Sequence, residues 1–181
     1  MAETYSLKDI VNEAYHESEE WIDRIHGDGI NFCYETAIEG GISYPSEFNR
    51  LEQGILLRNV VGELTDNALK SIFQVGKLEH ILEGNYDKTI FDGTIPSIRI
   101  ELEFDGEQYT LTVSDNGPGM DLSYMEKMWN MGESQRGSYG IGLYNLKKDV
   151  EEKFDGSVSC ESKPGEETTF TVKIPSPSSY C

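Results

Sequence analysis

This chain of 181 residues is poor in cysteine and in positive charge, and it has no long apolar run. Its three cysteines, Cys33, Cys160 and Cys181, are scattered and form no CxxC pair. Neither a zinc site nor a disulfide framework is indicated, and a reducing, cytoplasmic compartment fits. Lysine and arginine number 15 against 33 aspartates and glutamates, a net charge of −18. Such a chain is a poor partner for a phosphate backbone, so nucleic acid is not expected. An anionic ligand would need a locally positive site or a divalent metal. No apolar stretch approaches the roughly 20 residues of a membrane helix, so no membrane contact by the chain itself is expected. The opening Met1-Ala-Glu-Thr-Tyr5 has neither a basic n-region nor an apolar h-region. No internal repeat is visible.

What is present suits one globular domain. The hydrophobic share of 37% is enough for a packed core, and the length fits a single unit. The expected division is a domain over residues 1–175 and a frayed tail over 176–181. Residues 6–25 read as a helix, with Ile10, Val11, Ala14, Trp21, Ile22 and Ile25 at near-helical spacing. Ile30 to Glu35 reads as a short strand. Ser46 reads as an N-cap before an apolar stripe from Leu51 to Phe73, which predicts a helix over about 47–75 that extends toward Leu82. Gly84 to Gly93 reads as a polar connection. Ile98, Ile100, Leu102 and Phe104 alternate with charged residues, and Tyr109, Leu111 and Val113 alternate with Thr and Ser, which predicts two strands. Asp105-Gly106 between them is a type I′ hairpin signal. A short helix over 121–129, a loop over 130–138, a helix from Gly140 to Phe154 and two final strands complete the reading. Antiparallel hairpins with helices between them predict an α+β, two-layer sandwich.

Three segments carry the chemistry. In Glu63-Leu-Thr-Asp-Asn67-Ala-Leu-Lys70, an acid, an amide and an amine share one side of a helix. An Asn carbonyl suits magnesium, a Lys suits phosphate, and a Glu can orient or deprotonate a water or hydroxyl. The same spacing also describes a solvated polar face. In Asp115-Asn-Gly117-Pro-Gly119-Met120, Asp115 shares strand parity with Leu111 and Val113, so a carboxylate points to the apolar side. It needs hydrogen-bond donors there, and a purine amine is a suitable one. Capping of the following turn would equally suit an Asp. In Gly137-Ser-Tyr139-Gly140-Ile-Gly142-Leu143, a glycine loop opens a helix, which can be an anion site or a tightly packed turn. No Gly-Lys-Ser/Thr follows, which excludes a Walker A loop, and the preceding loop is not a strand, which excludes a Rossmann fingerprint. Thr168 shares the parity of Phe170, Val172 and Ile174, so its hydroxyl should point inward.

In this order the segments resemble the N, G1 and G2 boxes of the GHKL superfamily ATP-binding domain, with the Bergerat fold. The likeness is nearest to sensor histidine kinase catalytic domains and runs from about Ser6 to Pro175. The ending from Glu161 to Pro175, with Ser162-Lys-Pro-Gly165 and Thr168-Thr-Phe170, is similar to the Ser-x-Pro-Gly…Thr-x-Phe strand pair of the kinases. The resemblance implies a mixed, mostly antiparallel sheet packed on helices. It implies ATP and Mg2+ as ligands, with Asn67 holding the metal and Lys70 at the phosphates. Asp115 would accept from the adenine amine with Thr168 nearby. Gly117, Gly119, Gly137, Tyr139, Gly140, Gly142 and Leu143 would shape the pocket and a lid over 121–139. Glu63, Asn67 and Lys70 would be the catalytic set. The activity implied is transfer of the γ-phosphoryl group to a histidine on a separate dimerisation and phosphoacceptor domain, with a response regulator downstream. The isolated chain is then expected to be a monomer.

The chain departs from the kinase pattern in places. Glu63 stands where many kinases carry Asn, and Ser138 stands where a glycine is common. His16 is followed by acids rather than by a base, so it does not resemble an acceptor. No phosphoacceptor hairpin is expected upstream. Two alternatives are a stand-alone serine kinase of the anti-sigma-factor type and a GHKL ATPase with Glu63 as base. A module that binds nucleotide without chemistry is a third.

Overall fold

The computed structural model describes residues 22–38, 51–91, 93–134 and 139–175, with side chains omitted at 38 and 51–57. Residues 22–27 are helical (α1), and the rest of the helix expected over 6–25 lies outside the described residues, as do Ser46 and the tail 176–181. The elements that follow are β1 (Cys33–Ile38), α2 (Leu51–Ile72), α3 (Glu79–Leu82), β2 (Ser97–Phe104), β3 (Gln108–Asp115), α4 (Leu122–Met125), α5 (Gly142–Phe154), β4 (Ser157–Glu161) and β5 (Thr168–Pro175). The five strands form one sheet in the order β1-β2-β3-β5-β4. Only β1–β2 is parallel; the other three pairings are antiparallel. The expected α+β, two-layer, mostly antiparallel architecture is what the chain adopts.

Strand alternation makes the two layers. Ile98, Ile100 and Leu102 on β2, Tyr109, Leu111 and Val113 on β3, and Phe170, Val172 and Ile174 on β5 are all buried. They meet Val60, Val61, Leu64, Ala68 and Leu69 of α2 and Leu146, Val150 and Phe154 of α5. α2 thus lies across β2 and β3 with one apolar stripe down, which leaves its polar residues along the flank.

Several boundaries differ from the sequence reading for identifiable reasons. The first strand begins at Cys33, not Ile30, because the Cys33 N–H donates to Pro96 O and the register starts at Cys33↔Ser97. Phe32, one residue earlier, is instead buried in the core. The hairpin at Asp105-Gly106 is not type I′, since only Gly106 is left-handed, with φ +101°. One glycine at the first central position fits a type II′ turn, and the Asp105 carboxylate accepts from the Glu107 and Gln108 N–H groups. The short helix expected over 121–129 is α4 alone, capped by the Asp121 carboxylate, with turns after it. The connection over 84–93 contains a 3-10 turn, Lys88–Phe91, and is pinned by aromatics: Tyr86 and Phe91 each pack edge-on against Phe73 at 4.9 Å.

The long helix stops at Ile72 and does not continue to Leu82. Gln74 turns left-handed, φ +52°, and the Val75 N–H reaches back to Lys70 O. That six-to-one bond is the Schellman stop. α5 also ends on a left-handed residue, Asp155 at φ +51°, but there the Asp155 and Gly156 N–H groups both reach Val150 O. Neither left-handed position is glycine, so each carries a backbone cost. Gln74 is exposed and its side chain is not needed for the turn. Gln74→Gly is therefore expected to stabilise the fold by about 0.5–1 kcal/mol, read as a higher urea midpoint at an unchanged slope.

Candidate nucleotide site

The site forms where β3 and β5 end beside the flank of α2. Asp115 is the last residue of β3, and its cross-strand neighbours are Ile98 on one side and Thr168 on the other. It is 3% exposed, so its carboxylate sits at the polar end of an otherwise apolar face. A buried carboxylate needs donors. One is the Gly117 N–H, at 2.9 Å from Oδ1. Glycine is required there: a Cβ at 117 would fall 2.6 Å from Asp115 Oδ1 and 2.7 Å from Ser71 Oγ.

Thr168 is 2% exposed, and its hydroxyl lies 2.8 Å from Ser162 Oγ, which also accepts the Met120 N–H at 2.9 Å. Ser162 thereby ties the segment after Asp115 to the β4–β5 turn. Gly119 completes the tie: its φ is +69°, and a Cβ would overlap Lys163 O. The Gly165 N–H donates to Pro118 O at 2.7 Å.

Above this floor is a cleft partly open to solvent. Asn67, Lys70, Asp115, Leu143 and Thr168 line it together. Helical spacing brings Asn67 and Lys70 to the cleft, and Ser71, four residues after Asn67, shares that side. The Asn67 amide donates through Nδ2 to Glu63 Oε1 at 3.1 Å. The amide oxygen is the atom left for a cation.

Glu63 does not line the cleft but adjoins it. A Cβ on Gly142, the first residue of α5, would overlap the Glu63 carboxylate. Gly142 therefore leaves room for the Glu63 side chain to lie against the start of α5. Gly140, φ +64°, does the same for the chain entering that helix, where a Cβ would strike the backbone of Gly132 and Glu133. Tyr139 is 89% exposed and does not line the cleft, and Gly137 lies outside the described residues. Part of the segment read as a lid is anchored. Met128 is buried, Trp129 meets Phe170 edge-on at 6.1 Å, and Lys147 Nζ lies 5.6 Å from the Trp129 ring.

The sequence reading missed two participants. Ser71 was findable from its spacing to Asn67. Ser162 was not, since its role depends on how the β4–β5 turn folds back. Asp66 belongs to the same helical turn as Asn67. Burial pushes its carboxyl up to about 6; nearby Lys70 pulls it down, and Glu63 and Glu79 push it further up.

Among the described residues, no helix is long and apolar enough to cross a membrane, and no group of three or more His, Cys, Asp or Glu could hold a metal. A magnesium ion here would rest on Asn67 and on the oxygens of its ligand, which suits that ion's preference for few protein ligands.

A mostly antiparallel sheet under two long helices, with a carboxylate and a threonine flooring a cleft beside an Asn and a Lys, defines an α+β nucleotide-binding domain. Residues 52–178 match the family described as histidine kinase-, DNA gyrase B-, and HSP90-like ATPase, and the chain belongs to that family. Over 64 residues it is 41% identical to the sensor histidine kinase DcuS of Escherichia coli K12, covering 35% of this chain and 12% of that protein. Over 105 residues it is 30% identical to the sensor histidine kinase YcbM of Bacillus subtilis 168, covering 54% of this chain and 33% of the relative. The fold matches the nucleotide-free catalytic domain of histidine kinase ThkA with a TM-score of 0.64 at 18% identity, covering 96% of this chain and 97% of that one. It also matches the mycobacterial sensor histidine kinase MprB with a TM-score of 0.61 at 14% identity, over 97% of each chain.

Asp66 gives the site a pH signature. Its folded carboxyl, at about 6, lies above the ordinary 3.8, so the native state holds a proton that the unfolded chain has released. That contribution is fully present below pH 4 and is lost as pH rises through 6. In metal-free protein, Asp66→Asn is expected to be more stable than wild type at pH 7.5, by up to about 3 kcal/mol for a shift of this size. The gap should close below pH 4 in urea melts taken across that range.

Proposed function

We propose that this domain supplies the γ-phosphoryl group of Mg-ATP to a histidine on a separate dimerisation and phosphoacceptor domain, in a two-component system with a response regulator. The observation that carries the reading is the buried Asp115 carboxylate at the floor of a cleft whose opposite wall is Asn67 and Lys70. In this reading Asp115 accepts from the adenine amine, with Thr168 beside it. Gly117 and Gly119 let the backbone close on the base. Gly140, Gly142 and Leu143 border the phosphate end. Asn67 holds magnesium through its amide oxygen, Lys70 meets phosphate as a point charge, and Glu63 orients Asn67.

Phosphoryl transfer needs positioning and neutralisation of charge more than covalent help from the protein. The acceptor nitrogen forms its bond to the γ-phosphorus as the bridging P–O bond to ADP breaks. The chain spans 12% of DcuS and a third of YcbM, so acceptor and sensing parts would lie outside this domain. In this reading the domain works in the cytoplasm, and the isolated chain is a monomer.

The test is to incubate the chain with γ-labelled ATP, Mg2+ and the histidine-bearing acceptor domain of its own sensor. Label is expected on the acceptor as an acid-labile, base-stable phosphate. Asn67→Ala should cut the rate at least a hundredfold while adenosine still binds. Label on serine, or inorganic phosphate released with no labelled acceptor, would contradict the reading.

A further inference from the structure

We propose that Glu63 makes this domain select the metal-complexed nucleotide over the free one, by standing as a resident anion at the phosphate end of the cleft. The inference rests on the nucleotide reading above and deepens it. A helix N-terminus ordinarily attracts anions through its unpaired N–H groups and positive dipole end. α5 is the helix whose N-terminus borders this cleft, yet it supplies no anion of its own there. Its N-cap is Ile141, with no side-chain cap, and its first turn has no acidic residue. The carboxylate at that end comes from α2 instead. Glu63 lies against the backbone of Gly142 so closely that a Cβ would overlap it. The Asn67 amide holds the carboxylate in place, at 3.1 Å from Oε1.

Two consequences follow from this placement. Glu63 stands beside the positive end of α5 before a ligand arrives, so a bare triphosphate gains less from it. A bare triphosphate also brings negative charge close to Glu63, in a chain whose net charge is −18. Among the described residues that line the cleft, only Lys70 is a lysine or arginine. A divalent ion bound to the phosphates reverses the sign of the encounter with Glu63, and the Asn67 oxygen lies on the same helical side to receive it. Glu63 would then act as a specificity-determining group without touching the base.

Calorimetry tests this on the whole chain, with ATP, AMP and adenosine, each in EDTA and in Mg2+. For wild type in EDTA, affinity is expected not to rise from AMP to ATP, and to rise at least tenfold for ATP when Mg2+ is added. Glu63→Gln keeps the shape and a partner for Asn67 but removes the charge. It is expected to tighten ATP in EDTA about tenfold, equivalent to about 1.4 kcal/mol, and to leave adenosine unchanged. The Mg2+ advantage should shrink by the same factor. A wild type that already binds ATP more tightly than AMP in EDTA overturns the inference, whether or not the variant folds. So does a Glu63→Gln protein with an unchanged Mg2+ advantage. In both cases adenosine binding would leave the nucleotide reading standing. Failure of all three ligands to bind in either condition would overturn both.

Discussion

A carboxylate held almost out of water at the end of a central strand is the constraint on which the site depends. Asp115 is tolerable there because the chain turns back at once and offers it the Gly117 N–H. That turn needs glycine at 117 for space beside Asp115 and Ser71. It needs glycine at 119 because the backbone is left-handed and pressed on Lys163. The β4–β5 turn must then reach forward, through Ser162 and Gly165, to hold the other side. The floor of the cleft is thus one hydrogen-bonded unit built from two turns far apart in sequence.

α2 provides the opposite wall and couples it to the core. The same helix buries Val61, Leu64 and Ala68 against the sheet and presents Asn67, Lys70 and Ser71 to the cleft. A side chain that shifts on its polar flank is therefore referenced to a packed surface and not to a loop. At Gly142 the start of α5 lies against the Glu63 side chain, so both long helices meet beside Asn67. The two-layer fold fixes the distance between the Asp115 and Asn67 walls of the cleft.

Much of this was legible in the sequence because it is written in local periodicity. Strand alternation placed Asp115 and Thr168 inward, and the register confirms that they are direct neighbours. Helical spacing put Asn67 and Lys70 on one wall. What was hidden is non-local or violates a local rule. The parallel β1–β2 pairing and the start at Cys33 depend on β2, which is about sixty residues away. The end of α2 is marked by a left-handed Gln74, where a glycine would have announced it. The connection at 84–93 looked polar because its two anchoring aromatics, Tyr86 and Phe91, are spaced for a turn and not for a strand or helix. The contact between Glu63 and Gly142 has no sequence signature, since it joins residues 79 positions apart.

The claim most central to this account is that the Asp115 carboxylate reads the adenine amine. The direct measurement is ATP binding by calorimetry, in Mg2+, on wild type and Asp115→Asn. Asparagine keeps the size of the side chain but loses the charge and an acceptor oxygen. Affinity is expected to fall at least tenfold, about 1.4 kcal/mol. Equal affinity in a folded Asp115→Asn protein would contradict the account, because the floor of the cleft would then not be where the base is recognised.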